Sequence, residues 1–211
     1  MKKAEGLWEA ECLKVKMRDI YWRIKQSLGR RPTRLDMYEG SDIPFREYLK
    51  DGWLRFLKSV EELEPEEEGW LDTPAEEFLK EVEQTRFTKA YKLPTIRAFL
   101  YQGAIRERVQ LRDIGEEMMS FYRDYPLHQK DLNNRSNRNW RSWGVDEFVR
   151  LAKNNPVKFL SRGQFFHYDE INKVMYLDSA VEPFLSPKLA FHVDDILIYR
   201  GTDYFRRRYK D

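Results

Sequence analysis

The stretch QFFHYDEINKVMYLD, residues 164–178, has the pattern of a β-hairpin. Aromatic and aliphatic residues flank a polar turn over 169–173: Phe165, Phe166 and Tyr168 before it, and Val174, Tyr176 and Leu177 after it. Such residues favour strands, whereas Asp and Asn favour turns. Two short runs around a polar centre therefore predict an antiparallel pair of strands.

The segments around this hairpin complete an order of elements that is typical of a winged helix. Upstream, residues 92–103 predict a helix that stops at Gly103, 106–111 a short strand, and 112–125 and 145–156 two further helices. Downstream, 188–200 predict a last helix before a basic tail. Helix, strand, helix, helix and hairpin is the winged-helix order, so we expect a mainly α fold with a small hairpin.

The first sixty residues predict a separate helical module. Helices are expected over 5–28, ending at Gly29; over a short segment capped by Thr33; and over 44–60. Three short helices suggest a helix-turn-helix-like module, although generic helical hairpins have the same pattern. We therefore divide the chain into an N-terminal module (1–60), an acidic linker (61–72) and a winged-helix-like domain (73–211), whose first helix begins at Thr73-Pro74 and ends near Gln84.

Charge is segregated along the chain although the formal net charge is only +2. Residues 14–34 contain eight basic residues against Asp19 alone, and 61–83 contain eleven carboxylates against Lys80. Residues 128–162 contain eight basic residues against three acidic ones. Two basic regions separated by an acidic one predict contacts with polyanions or with charged partners.

No catalytic or metal site emerges from the sequence. The phosphate-binding pattern GxxxxGK[ST] is absent, and His128, His167 and His192 lack metal-ligand spacing. The single cysteine, Cys12, excludes an internal disulfide and is expected to be a buried thiol. We predict no catalytic residue, no metal and no cofactor. One weaker alternative is a small metal-dependent nuclease that uses the turn residues Asp169, Glu170 and Lys173.

The chain shows no signal peptide, and no apolar run approaches the roughly 20 residues of a membrane helix. We expect a soluble, cytoplasmic protein without a membrane partner.

The segment HQKDLNNRSNRNWRSWG, residues 128–144, carries the functional prediction; we call it the basic segment. Arg and Lys bind phosphates, Asn can contact base edges, and Trp can stack on unpaired bases. Asn also caps turns, and we expect Trp140, Trp143 or both to anchor the segment in the core. The candidate nucleic-acid-binding residues are Lys130, Asn133, Asn134, Arg135, Asn137, Arg138, Asn139, Arg141, Lys153, Lys158, Arg162, Lys173, Arg30, Arg31 and Arg34. The run Arg206-Arg207-Arg208 is either a further contact or a solvated tail.

Five stretches resemble the C-terminal region that follows the motor in some bacterial DEAD/DEAH-box superfamily-two helicases, including restriction or defence enzymes. They are YWRIKQSLGRRPTRLDMYEGSDIPFREYLKDGWLRFL (21–57), TKAYKLPTIRAFL (88–100), LHQKDLNN (127–134), FLSRGQFFHYDEINKVMYLD (159–178) and YFRRRY (204–209). The family's ATPase and nuclease motifs have no counterpart here, so no catalytic residue is carried over. The resemblance implies an accessory module whose partners are DNA, or RNA, and a helicase motor domain in the same or a companion chain.

The sequence thus predicts a non-catalytic nucleic-acid-binding accessory domain. The alternative is a protein-interaction domain that couples a helicase motor to a nuclease, in which Trp and Arg would form the contact patch.

Overall fold

A computed structural model describes the backbone of residues 2–209 and the side chains of residues 11–209. The chain forms two compact units, Met1–Leu71 and Asp72–Asp211. Both are mainly helical, and the second also contains two small antiparallel sheets. The predicted fold class, helical modules with a small β-hairpin, is confirmed.

The first unit contains four α-helices: α1 (Lys2–Leu28), α2 (Arg34–Gly40), α3 (Trp53–Ser59) and α4 (Pro65–Glu68). Gly29, with φ of +65°, ends α1 in the left-handed conformation that glycine adopts at low cost. Thr33 begins α2 through a capping box: the Asp36 N–H donates to Thr33 Oγ1 at 3.2 Å, and the Thr33 N–H donates to the Asp36 carboxylate at 2.8 Å. The predicted start of α2 is therefore correct.

The helix predicted over 44–60 is wrong in its first half. The chain forms a 3₁₀ turn at Phe45–Glu47 and enters α3 only at Trp53. Gly52 adopts φ of +93°, which interrupts the helix and turns the chain so that the Trp53 ring lies 5.7 Å from the Phe45 ring. Packing between aromatic side chains thus outweighs the helical periodicity.

The acidic stretch 61–72 is not the separate linker that its composition suggested. All of it up to Leu71 belongs to the first unit, and Glu67 in α4 is fully buried. Glu62 accepts hydrogen bonds from Lys25 Nζ at 2.6 Å and from the Tyr21 hydroxyl at 3.2 Å. Basic residues of the same unit therefore pair with carboxylates of this stretch, which holds the stretch within the unit.

Cys12 is exposed, so the expectation of a buried thiol is wrong. The buried face of α1 carries Met17 and Ile20. Cys12 lies four and seven residues before the exposed Lys16 and Asp19, which places it on the solvent face of the helix.

The second unit contains seven α-helices and five strands, in the following order: α5 (Pro74–Gln84), α6 (Lys92–Arg97), β1 (Leu100–Tyr101), β2 (Ala104–Ile105), β3 (Arg108–Gln110), α7 (Leu111–Asp124), α8 (Pro126–Gln129), α9 (Val145–Ala152), a π-helical turn (Lys153–Val157), α10 (Lys158–Leu160), β4 (Phe166–Asp169), β5 (Val174–Leu177) and α11 (Pro187–Arg208). Short 3₁₀ turns lie at Arg135–Asn137, Trp140–Ser142 and Glu182–Phe184.

The hairpin forms as predicted, and the strand before α7 joins it. In β4 and β5, Phe166 pairs with Leu177 and Asp169 with Val174. β3 pairs antiparallel with β5, which gives a three-stranded sheet in the order β3-β5-β4. The strand that precedes α7 and the hairpin that follows α10 along the chain thus form a single sheet. This is the topology expected from the winged-helix order.

Two predicted helix boundaries differ from the structure. The helix expected to run to Gly103 ends at Arg97, because Gln102 and Gly103, both with positive φ, form the turn of a second small hairpin, β1–β2. The last helix, capped by Ser186, extends to Arg208. Arg206–Arg208 therefore belong to α11 and not to a tail, whose last two residues, 210 and 211, lie outside the described part of the chain.

Helices α7 and α9 cross closely in the core of the second unit. A Cβ atom at Gly115 would lie 2.4 Å from Val149 Cγ2, so only glycine permits this approach. Further along, the rings of Tyr122 and Phe148 stack with centroids 6.4 Å apart. The crossing fixes both ends of the connection between the two helices, and this connection contains the basic segment.

Candidate nucleic-acid interface

Asp131 anchors the basic segment from within the second unit. Its side chain is buried, and its carboxylate accepts hydrogen bonds from the Ala90 backbone N–H at 2.6 Å and from the Tyr204 hydroxyl at 2.8 Å. The Tyr209 hydroxyl also donates to it, and Arg208 Nε lies 3.6 Å away. The one acid of the segment is therefore bound to other elements and does not neutralise the segment's own arginines.

His128 fixes the start of the basic segment as an aromatic anchor. Its ring contacts both Phe121 and Phe205, with centroids 4.0 and 4.5 Å away and an interplanar angle of 19° to each. Nδ1 lies 3.0 Å from the Phe121 carbonyl oxygen, to which it donates. Burial lowers the pKa of His128, which favours the neutral ring that this apolar stack requires.

The asparagines of the basic segment mainly hold its backbone. Asn134 donates to the Asp131 carbonyl at 3.2 Å and accepts from the Ser136 N–H at 3.0 Å. Asn137 is buried and donates to the Tyr91 hydroxyl at 3.2 Å. These two amides, which the sequence proposed as base contacts, therefore have partners within the second unit.

Trp140 is the core anchor of the segment. It is buried, and its Nε1–H donates to Asn133 Oδ1 at 3.0 Å. Trp143 is half-buried and packs edge-on against Phe148 at 5.5 Å. The expectation that at least one tryptophan anchors the segment is confirmed, and Asn139 is left as an exposed asparagine without a side-chain contact of this kind.

The three arginines of the segment face outward. Arg135, Arg138 and Arg141 are exposed, and among the side chains of residues 11–209 no carboxylate lies within 4 Å of their guanidinium nitrogens. The Arg141 guanidinium lies 4.7 Å above the Trp140 ring, which orients it without neutralising it. Lys130, also exposed, lies 5.2 Å above the Tyr209 ring.

The cations predicted after the basic segment differ in their surroundings. Lys158, Arg162 and Lys173 are exposed, and within the described part of the chain no carboxylate pairs with them. Lys153 instead forms an ion pair with Glu170, which joins the π-helical turn to the hairpin turn. Lys153 is thus the one of the four that already has an acidic partner.

The three arginines predicted as contacts at the corner between α1 and α2 have partners within the first unit. Arg30 donates to both Asp36 carboxylate oxygens at 2.7 and 3.2 Å. Arg31 donates to both Glu67 oxygens at 2.7 and 2.8 Å, and Arg34 is fully buried, 5.5 Å from the Trp53 ring. Internal acids and an indole thus hold these three guanidiniums within the first unit.

The C-terminal arginines of α11 are partly structural. Arg207 pairs with Asp203 at 2.6 Å, one helical turn earlier. Arg208 donates to the Thr88 carbonyl at 2.7 Å and so attaches the end of α11 to the connection between α5 and α6.

The acids of the hairpin turn shape the turn. Asp169 accepts hydrogen bonds from the Ile171 and Asn172 N–H groups at 2.9 and 3.0 Å, and the bonds from Asn172 lower its pKa. Glu170 pairs with Lys153. His167 Nε2 lies 2.9 Å from Asp178 Oδ2, a local contact within the hairpin. Among the side chains of residues 11–209, no three His, Cys, Asp or Glu residues are grouped as metal ligands would be.

Sequence reasoning missed an apolar groove in the second unit, which we call the aromatic groove. It encloses about 600 Å³, and its walls include Phe121, Tyr125, Leu127, Ile198 and Phe205. Tyr125-Pro126-Leu127 could have indicated one part of the groove, because large apolar residues beside a helix-breaking proline pack poorly into a core. The part that α11 contributes could not be predicted, since α11 is distant in sequence.

Comparison of the chain with family models, with curated proteins and with solved structures finds no match. The similarity to helicase C-terminal regions therefore stays a prediction. No helix of the described residues is long and apolar enough to cross a bilayer.

Proposed function

We propose that the second unit is a non-catalytic nucleic-acid-binding module whose outward arginines contact phosphates. One observation carries the proposal: the basic segment directs Asp131, Asn137 and Trp140 inward and displays three arginines that lack an acidic partner among the described side chains. Such guanidiniums attract the phosphates of a nucleic acid. Binding is favoured because the cations condensed on the phosphate backbone are released into solution. The resemblance to helicases adds the expectation that a motor domain in the same or another chain uses this module.

Binding should depend more on the backbone and shape of the nucleic acid than on its sequence. Asn134 and Asn137 are engaged within the second unit, so Asn133 and Asn139 are the exposed asparagines of the segment. Phosphate contacts position a protein, whereas base-edge contacts specify a sequence. We therefore expect weak base preference and a strong dependence on salt.

Lys173 is the natural wing contact. It is exposed at the hairpin turn and adopts φ of +54°, a conformation in which Gly or Asn would be less strained than lysine. A cation at this strained position supports a role for its charge at the tip of the wing.

The first test is fluorescence anisotropy of the full chain with a labelled duplex across a salt series. Replacing Arg135, Arg138 and Arg141 by Ala should weaken binding by about tenfold or more near 50 mM salt and lower the log–log salt slope by up to about 3. The matched control removes three exposed arginines of the first unit, Arg18, Arg23 and Arg46, and should change affinity much less. Equal losses in both variants, or no binding at low salt, would contradict the proposal.

The second test replaces Lys173 by Gly. Glycine adopts a positive φ without strain, so the free energy of unfolding should change little while duplex affinity falls by a few-fold. Lys173→Arg keeps the charge and should keep the affinity. If the Gly variant binds as tightly as the parent chain, the wing does not contact nucleic acid.

A further inference from the structure

We propose that the aromatic groove binds unpaired nucleobases, so that the module prefers single-stranded nucleic acid. This inference rests on the proposed function and specifies its substrate class. It is independent of the outward arginines, because a different set of side chains carries it.

The groove has the dimensions of a ligand site. Its volume of about 600 Å³ falls within the roughly 300–1,000 Å³ of pockets that hold small organic molecules. Leu93 of α6, Phe121 of α7 and Leu197 of α11 form the apolar lining. These elements belong to one compact unit, so the walls are held by the same core.

Three large apolar side chains remain open to solvent at this one place. Tyr125 is 51% exposed, Leu127 41% and Ile198 49%, although most large apolar residues of this unit are buried. A contiguous exposed apolar patch within a concave surface marks a binding site more than isolated exposed residues do.

Tyr125 lies beside a cluster of aromatic rings. The His128 ring is within 19° of parallel to both Phe121 and Phe205, which are tilted by 37° to each other, and the Tyr125 ring lies 4.7 Å from His128 at 42°. Tyr125 thus presents an exposed ring on a fixed aromatic support. Every base has a π-face that such a ring can bind irrespective of sequence.

Polar groups in the groove suit the edge of a base. The Thr202 hydroxyl and the Asp194 carboxyl line it, and both can exchange hydrogen bonds with amino or carbonyl groups of bases. Partial burial raises the pKa of Asp194.

The charges around the groove favour a polyanion over an apolar helix of a partner protein. Arg97 and Arg206 line it against Asp194, and Arg97 also pairs with Glu117 at 3.1 Å. At one end the groove reaches Tyr209, and Lys130 of the basic segment lies above that ring. A strand with a base in the groove can therefore continue along the basic segment with its phosphates.

The test measures binding of the full chain to three labelled probes: a single strand, an abasic strand of equal length, and a duplex. The parent chain should bind the single strand more tightly than the abasic strand. Tyr125→Ala should weaken single-strand binding by roughly 5- to 150-fold, the loss of one stacked base, and change binding of the other two by less than about twofold. Tyr125→Trp keeps a stacking ring and should keep the affinity. Ile198→Ala, at another exposed apolar residue of the lining, should repeat the selective loss.

The outcomes separate the two proposals. If the duplex binds but the single strand shows no advantage over the abasic strand, or Tyr125→Ala leaves single-strand affinity unchanged, this inference fails and the proposed function stands. Such a result would favour a protein as the partner that binds in the groove. If none of the three probes binds at low salt, both proposals fail. Unchanged duplex affinity in the Tyr125 and Ile198 variants confirms that they are folded.

Discussion

Two clusters of three arginines in this protein have similar composition and opposite surroundings. At the corner between α1 and α2, Arg31 forms a double hydrogen bond to the buried Glu67, and Arg34 is itself fully buried. In the basic segment, Arg135 and Arg138 are exposed, and no carboxylate of the described residues lies within 4 Å of them. One cluster is paired within the fold, and we propose that the other binds a partner.

The acids near each cluster account for the difference. The first unit contains the acidic stretch 61–71, and Glu62 and Glu67 from it pair with basic residues of α1 and of the corner. The acid of the basic segment, Asp131, is buried against tyrosine hydroxyls and a backbone N–H instead. Whether a basic cluster is a binding surface therefore depends on where its potential acidic partners fold.

The largest loss of stability in either cluster is expected for Arg31→Ala. This change leaves the fully buried Glu67 carboxylate without its principal partner, and removing one member of a buried ion pair costs about 3–5 kcal/mol. We expect the first unit to unfold at a clearly lower urea concentration, with nucleic-acid affinity unchanged where it is still folded. Denaturation followed by tryptophan fluorescence measures this.

Arg30→Ala at the same corner is the matched control. Its pair with Asp36 is more exposed, and surface pairs contribute about 0–1 kcal/mol. If the two variants unfold at the same urea concentration, the Arg31–Glu67 pair does not hold the corner.

The second prediction concerns Asp131, the buried acid of the basic segment. Asp131→Ala deprives the Ala90 N–H and the Tyr204 and Tyr209 hydroxyls of their acceptor, and buried groups left unpaired cost roughly 1–3 kcal/mol. The free energy of unfolding of the second unit should fall by about that amount, and limited proteolysis should cut the basic segment faster. Asp131→Asn keeps one carbonyl acceptor and should lose less. An Ala variant as stable and as resistant as the parent chain would show that Asp131 is not the anchor.

The third prediction concerns pH and the aromatic anchor of the basic segment. His128 has a lowered pKa in the folded protein, whereas an unfolded histidine titrates near 6.5. Unfolding therefore takes up a proton below about pH 6.5, so the contribution of His128 to stability is complete above that pH and falls as the pH decreases. The groups around the ring are the apolar Phe121, Tyr125 and Phe205, with Arg97 and Asp131 acting on it electrostatically.

His128→Phe keeps the stack and removes the titration. The urea midpoint of the parent chain should fall more between pH 7.5 and 5.5 than that of the variant, because all other groups titrate alike in both. An equal fall in the two proteins would mean that His128 is not desolvated by its neighbours.

Local signals in the sequence predicted most of the fold, and tertiary contacts explain the errors. Thr33, Thr73-Pro74 and the hairpin around Asp169 are recognisable because caps and turns depend on neighbouring residues. The break at Gly52 depends on packing between distant aromatic rings, which periodicity does not show.

The candidate site was predictable in position but not in detail. The composition of residues 128–144 located the basic segment, and at least one of Trp140 and Trp143 was expected to anchor it. Which amides turn inward depends on partners such as Tyr91, about 45 residues away in sequence. The aromatic groove likewise combines Tyr125 with Ile198 of α11, so no local pattern could predict it.

The smallest effect on stability is expected where the effect on binding is largest. Arg135, Arg138 and Arg141 make no ion pair with described carboxylates, so replacing all three by Ala should change the free energy of unfolding by only about 0.5 kcal/mol. A slight gain at low salt is also consistent, because the exposed like charges repel one another. Urea denaturation at low and high salt measures both terms. A loss of several kcal/mol would mean that these arginines stabilise the fold as Arg31 does, and the contrast between the two clusters would disappear.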